Sequence, residues 1–252
     1  MFQSLLLVIA FAFTLPFGSI VMRHDVEDAR YLELGARYSD SFVRLDAGCG
    51  TFIRSNWILT AAHVAQSERV GDSVSVDGIR YPIARKILHP GFSMSGGAII
   101  HDIALIELSE PVPEIQPALL YSASDELGRE IVFVGTGWAG TGVRGMANDA
   151  IIRDRRLRGA QNRVDGSKPG YLQFTFDAPE SGNALPLEGI SGPGDSGGPA
   201  LWVHGDGRTY VLGVSSHQNR QGAKNEGMYG VVEYYARVSE YRDWIGGEIE
   251  AE

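Results

Sequence analysis

The sequence predicts an all-β protein, a barrel or sandwich in two halves, and three observations carry that prediction. Short runs of four to six apolar or alternating residues recur along the chain, bounded by Gly, Asn, Asp and Pro. No long helical period interrupts them. Glu110 to Pro117 holds three prolines and reads as a linker between two sets of strands, because proline cannot join a central strand.

The first set comprises Phe42 to Leu45, Gly50 to Ile53, Trp57 to Thr60, Ser73 to Val76, Arg80 to Ile83 and Ile103 to Leu108. Asp77-Gly78 between two alternating runs is a hairpin signal, since both residues tolerate the positive φ that a tight turn requires. The second set comprises Ile131 to Val134, Leu172 to Phe176, Pro199 to Val203, Tyr210 to Val214 and Met228 to Val232. Ser239 to Ile245 reads as a short helix with Ser239 as N-cap and Gly246-Gly247 as its stop.

The chain has 252 residues, enough to bury a substantial core, with 44% hydrophobic residues, 21% charged residues and 32 glycines. A net charge of −9 without a basic run argues against nucleic acid and anionic membrane surfaces as partners. The single Cys49 excludes an intramolecular disulfide, so the core must hold the fold together unaided. Cys49 itself reads as a small buried hydrophobe.

Function enters through Gly192-Pro193-Gly194-Asp195-Ser196-Gly197-Gly198-Pro199. As composition this is a turn. As chemistry it is a nucleophile site, for a serine hydroxyl needs an adjacent base and donors aimed at the oxyanion that its attack creates. Gly194 can turn its N–H toward a substrate carbonyl in a conformation other residues resist, and the N–H of Ser196 can point the same way. Upstream, the apolar run Trp57-Ile58-Leu59-Thr60 ends in Ala61-Ala62-His63, which sets an imidazole where a buried strand emerges. Asp102 opens the mostly apolar run Ile103-Ala104-Leu105-Ile106, a dry setting for a carboxylate that orients a histidine.

Thr60-Ala61-Ala62-His63, Asp102-Ile103-Ala104-Leu105 and Gly194-Asp195-Ser196-Gly197-Gly198-Pro199, in that order, resemble the trypsin and chymotrypsin family of serine endopeptidases. His89-Pro90, Gly137-Trp138, Ser215-Ser216, Tyr235 to Val238 and Asp243-Trp244-Ile245 extend the resemblance from about residue 20 to about residue 246. It implies two packed antiparallel six-stranded β-barrels, about 20–110 and 118–235, with a C-terminal helix at about 239–246. His63 and Asp102 would sit on the first barrel, Ser196 on the second, and the active site between them. By the same resemblance His63 is the general base, Asp102 its orienting acid, Ser196 the nucleophile, and the N–H groups of Gly194 and Ser196 the oxyanion hole. No metal or organic cofactor is required, and His24, His89, His101, His204 and His217 show no metal-ligand spacing. His101, beside Asp102, is a possible competitor for the acid.

The resemblance also assigns a substrate pocket. Its floor falls at Ile190, six residues before the nucleophile, which favours apolar or small side chains. Glu233 falls near another wall, where an acid would favour basic ones, and Gln218 stands where the family usually has glycine, narrowing the entrance. Ser216 resembles the serine that hydrogen-bonds the acid and contacts the substrate backbone. Cys49 matches a cysteine of the animal members, but its partner's position is Val64, so that bridge is absent. The missing disulfides and the single compact module suggest a bacterial member. Asp149 to Arg158, with four arginines, reads as a solvated loop or an exosite.

Residues 1–19 read as a signal peptide with the apolar core Leu5 to Leu15, or alternatively as an uncleaved anchor, since apolar character continues to Met22. A secreted or periplasmic monomer acting on polypeptides follows, without stable membrane contact unless that segment is retained; a protein inhibitor is the other partner such a site admits. In the resembled family a freshly cut Ile-Val terminus pairs its ammonium with the acid before the nucleophile, here Ile20 with Asp195, although Met22-Arg23 replaces the usual two glycines. The rival functions are a catalytically silent binding protein on the same fold and an esterase using the same acyl-transfer groups.

Overall fold

The computed structural model describes residues 20–250. The expected signal peptide, residues 1–19, lies outside the described residues. The first barrel is a six-stranded antiparallel sheet in the order Phe42–Arg44, Cys49–Arg54, Trp57–Thr60, Ala104–Leu108, Ile79–Leu88, Ser73–Val76. The hairpin forms at Asp77-Gly78, with both residues at positive φ (49° and 80°) and Val76 paired to Ile79. The middle strands Trp57–Thr60 and Ala104–Leu108 are buried along their whole length.

The second barrel has eight strands, where six were expected. Its path runs Arg158–Arg163, Glu130–Gly135, Pro199–Val203, Thr209–Asn219, Val232–Arg237, Tyr171–Thr175, Gly166–Lys168, and Leu119–Leu120 pairs in parallel with Thr209–Asn219. Asn162 ties the two flanks of this sheet, its Nδ2 donating to Thr175 O at 3.0 Å. Its aromatic core includes Phe133, stacked on Tyr235 at 4.6 Å and edge-on to Phe174 at 4.9 Å. The strand expected at Met228 to Val232 begins only at Val232, because Gly227 (φ 70°) and Gly230 (φ 85°) turn the preceding residues out of extended geometry.

Each end of the described residues crosses to the other half. Val21–Met22 pairs in parallel with Gly140–Thr141 and antiparallel with Gly189–Ile190, burying Ile20, Val21 and Met22 in the second core. The C-terminal helix Val238–Glu250 sends Tyr241, Ile245 and Ile249 into the core that holds Ile53 and Leu105 of the first sheet. It runs through Gly246-Gly247, the expected stop, because Ile249 has a buried seat one turn further on.

A helix at Asp28–Ala36 had no counterpart in the strand pattern. Tyr31, with Leu34 and Gly35 three and four residues further on, forms its buried face. A methyl at Gly35 would overlap Arg158, so the helix lies directly on the Arg158–Arg163 strand. Arg158, expected in a solvated loop, is completely buried there, with two hydrogen bonds to Asp28 of this helix and two to Asp154. The neighbouring Arg153 does stay at the surface, its guanidinium 4.2 Å from the Trp138 ring centroid.

Candidate active site

The Trp57–Thr60 strand delivers His63 into the one-turn helix Ala62–Ala65. Asp102 lies two residues before the start of the adjacent strand, whose Ala104 pairs with Thr60, so the two residues are brought together by strand register. His63 Nδ1 lies 2.7 Å from Asp102 Oδ2, and the His63 backbone N–H donates to Oδ1 at 2.9 Å. Ser216 Oγ donates to Oδ2 at 2.6 Å. An ionised carboxylate only accepts, so His63 carries its proton on Nδ1 and leaves Nε2 with a free lone pair. Asp102 is 0% exposed. Burial works against its charge, but the donors on His63 and Ser216 outweigh burial and hold the carboxyl below its usual range.

His101 does not compete for Asp102. It stacks on His89 with centroids 4.6 Å apart, and its Nδ1 lies 3.1 Å from the Tyr241 hydroxyl.

The Ser196 loop docks on the first barrel. Cys49 N–H donates to Ser196 O at 2.8 Å, and a methyl at Gly197 (φ 79°) would overlap Thr60 Oγ1 and Cys49 O. Ser196 is thereby anchored beside Thr60-Ala61, two residues before His63. Within the loop, Asp195 N–H donates to Gly192 O, Gly197 N–H to Ser215 O and Gly198 N–H to Asp195 O. Among the described residues the N–H groups of Gly194 (φ 94°) and Ser196 make no internal hydrogen bond. They are the two left for an external acceptor.

Asp195 is buried beneath this loop, accepting from Gly137 N–H and Gly192 N–H at 2.9 Å each. Burial pushes its carboxyl well above the usual range; the two amides act in the other direction without compensating. Ile20 is completely buried in the second core, and among the described residues no hydrogen bond joins it to Asp195.

Of the residues expected around the substrate pocket, Gln218 and Glu233 come together, with one that sequence reasoning missed, Ser191. Its N–H donates to Glu233 Oε2 at 3.0 Å, and its hydroxyl bonds Glu233 Oε1 and lies 3.0 Å from Ser215 Oγ. Gln218 spans the same place, with Nε2 donating to Ser191 O at 2.7 Å and Oε1 accepting from Gly227 N–H at 3.2 Å. Burial pushes Glu233 up to about 7 despite the Ser191 donors. Ile190 is 0% exposed and belongs to the second core, paired with Val21. Ser191 follows Ile190 directly, and its hydroxyl was the available signal.

His217 is the other unanticipated member. Its Nδ1 lies 3.0 Å from Ser216 Oγ and its ring stacks on Tyr234 at 4.8 Å. Burial, helped by Lys168, lowers it to about 4. Among the described residues no three His, Cys, Asp or Glu side chains cluster to hold a metal ion, and no helix is long and apolar enough to cross a membrane.

The Trypsin family profile matches residues 37–245. A trypsin of Phaedon cochleariae is 32% identical over 225 residues, covering 82% of this chain and 81% of that protein. A serine protease of Anopheles gambiae is 29% identical, covering 78% and 69%, and chymotrypsin-like elastase family member 1 of Macaca fascicularis is 30% identical, covering 79% and 77%. The chain belongs to the trypsin family. It is a serine endopeptidase, a hydrolase whose substrates are polypeptides. These relatives are insect and primate proteins and lend no support to the bacterial origin suggested by the missing disulfides.

Proposed function

We propose that the protein is a secreted serine endopeptidase that cleaves peptide bonds through an acyl-enzyme on Ser196. The observation that carries this reading is the buried Asp102 carboxylate holding His63 Nδ1 at 2.7 Å, which leaves Nε2 free as a base. Ser196 Oγ attacks the scissile carbonyl carbon as His63 takes its proton, and the N–H groups of Gly194 and Ser196 receive the oxyanion. The imidazolium gives its proton to the leaving amine. A water then loses a proton to His63 and attacks the acyl carbon, and the imidazolium returns that proton to Ser196 Oγ as the acyl bond breaks, releasing the acid and free Ser196. Asp102 stays ionised and stabilises the imidazolium throughout.

The side chain before the scissile bond meets Gln218 rather than Ile190, whose side chain is fully buried in the second core. Gln218 bridges Ser191 and Gly227 across the entrance, and Glu233 is spent on Ser191, which favours small or apolar side chains over Lys and Arg. Residues 1–19 act as the secretion signal. Cleavage before Ile20 would free an ammonium whose partner is Asp195, a buried carboxylate in need of a cation. The Val21–Met22 strand is already buried in the second core, in support of that assignment.

Intact mass spectrometry before and after a fluorophosphonate probe tests the reading. One adduct on the wild type and none on Ser196→Ala is the expected outcome. No adduct on a protein that begins at Ile20 would refute it.

A further inference from the structure

A cavity of about 820 Å³ opens beside the reacting centre, lined in part by Ile99, Lys168, His217, Gln218, Arg220 and Tyr234. It begins one residue beyond Ser216, whose hydroxyl is bonded to Asp102. Ile99, also in its lining, is three residues before Asp102 and is held by the Tyr171 hydroxyl, which donates to Ile99 O at 2.9 Å. A polypeptide lying across Ser196 therefore passes this cavity within a few residues of the bond being cut.

The charge of the cavity is at odds with that of the protein. The chain carries −9, yet the only charged lining residues are Lys168 and Arg220, both cationic. Neither has a carboxylate within ion-pair distance among the described residues. Lys168 is held by aromatic faces, its Nζ 3.6 Å from the Tyr234 centroid and 5.0 Å from that of Tyr171. Such contacts fix a cation without neutralising it. His217, stacked on Tyr234, is lowered to about 4 by burial and by Lys168, so near neutrality the positive charge of the cavity is that of Lys168 and Arg220.

We infer that this cavity is a specificity site for an acidic side chain of the substrate, a Glu or Asp within a few residues of the scissile bond. Lys168 and Arg220 pair with its carboxylate, and the apolar stem lies against Tyr234 and Ile99. The inference rests on the peptidase reading for the position of the substrate.

The test separates binding from chemistry. Fluorescent peptides with Glu exchanged for Gln at each of four positions on either side of the cut would be titrated onto full-length Ser196→Ala. The same peptides would be assayed as substrates of the wild type. At one position Glu should bind roughly fivefold to twentyfold tighter than Gln at low ionic strength, with the advantage shrinking as salt is added. Lys168→Gln with Arg220→Gln should abolish that difference and raise KM for the Glu peptide, while kcat and the Gln peptide stay within about twofold. Equal binding of Glu and Gln peptides at every position would overturn the inference, as would a preference that survives the double substitution. Selective binding without hydrolysis by the wild type would instead count against the peptidase reading alone.

Discussion

Ser216 Oγ donates to Asp102 Oδ2 at 2.6 Å, and the same hydroxyl lies 3.0 Å from His217 Nδ1. With its proton committed to Asp102, Ser216 can only accept from His217, so His63, Asp102, Ser216 and His217 form one hydrogen-bonded chain of fixed polarity. Ser216 supplies one of three donors to the carboxylate, the other two being on His63. Ser216→Ala should therefore cost about tenfold or less in kcat/KM. Asp102→Asn removes the acid and reverses the histidine tautomer, for which the chymotrypsin-type triad sets a scale of roughly 10⁴-fold in kcat. Steady-state kinetics of the two variants would rank them, and equal losses would contradict the geometry.

Stability should fall as pH rises from about 6.5 to 8.5. Burial raises Glu188 to about 8 and Glu233 to about 7, from 4.5 for an ordinary glutamate. Across this window the folded chain holds protons that the unfolded chain has lost, so deprotonation favours unfolding. The stability these groups carry is full below about pH 4.5 and lost as pH climbs through 7 and 8. His89 and His217, lowered by burial, act in the opposite direction, but only below about 6.5. Urea melts at pH 6.5 and 8.5 should differ by about 2–3 kcal/mol, and Glu188→Gln should remove most of that difference.

Arg158 is an internal clamp between the Asp28–Ala36 helix and the second barrel. Arg158→Met leaves Asp28 and Asp154 without their shared cation. Breaking a buried pair costs about 3–5 kcal/mol; the two aspartates are about a third exposed, with side-chain exposures of 35% and 30%, which reduces the expected loss to roughly 2–3 kcal/mol. Equilibrium denaturation at pH 7 would measure it, and a change under about 0.5 kcal/mol would show that the clamp is dispensable.

Cys49 should be inert in the folded protein. Burial, reinforced by Asp195, pushes its thiol up to about 12, and it is 0% exposed against Gly194 O at 3.4 Å. Iodoacetamide at pH 8 should add nothing to the native chain and one carbamidomethyl group after denaturation, read by intact mass. Fast native labelling would mean that the floor beneath the Ser196 loop opens.

The candidate residues were legible locally: His63, Asp102 and Ser196 stand in motifs whose neighbours dictate local backbone, an apolar strand end, an apolar strand start and a glycine-rich turn. Most strand positions were legible too, because alternation and turn residues are local signals, and Trp57–Thr60, Ser73–Val76 and Pro199–Val203 lie where the pattern put them. Other features arose from partners far away in the chain. The Asp28–Ala36 helix shows only a weak apolar face, yet it is held by Arg158, 130 residues distant, whose burial cannot be read from a segment rich in arginine. Ser191, Gln218 and Glu233 meet because the Thr209–Asn219 and Val232–Arg237 strands pair Gln218 with Glu233, while the Ser196 loop folds Ser191 back between them. Sequence records which groups can donate, accept or ionise; tertiary structure decides which of them are removed from water and which partner they are given.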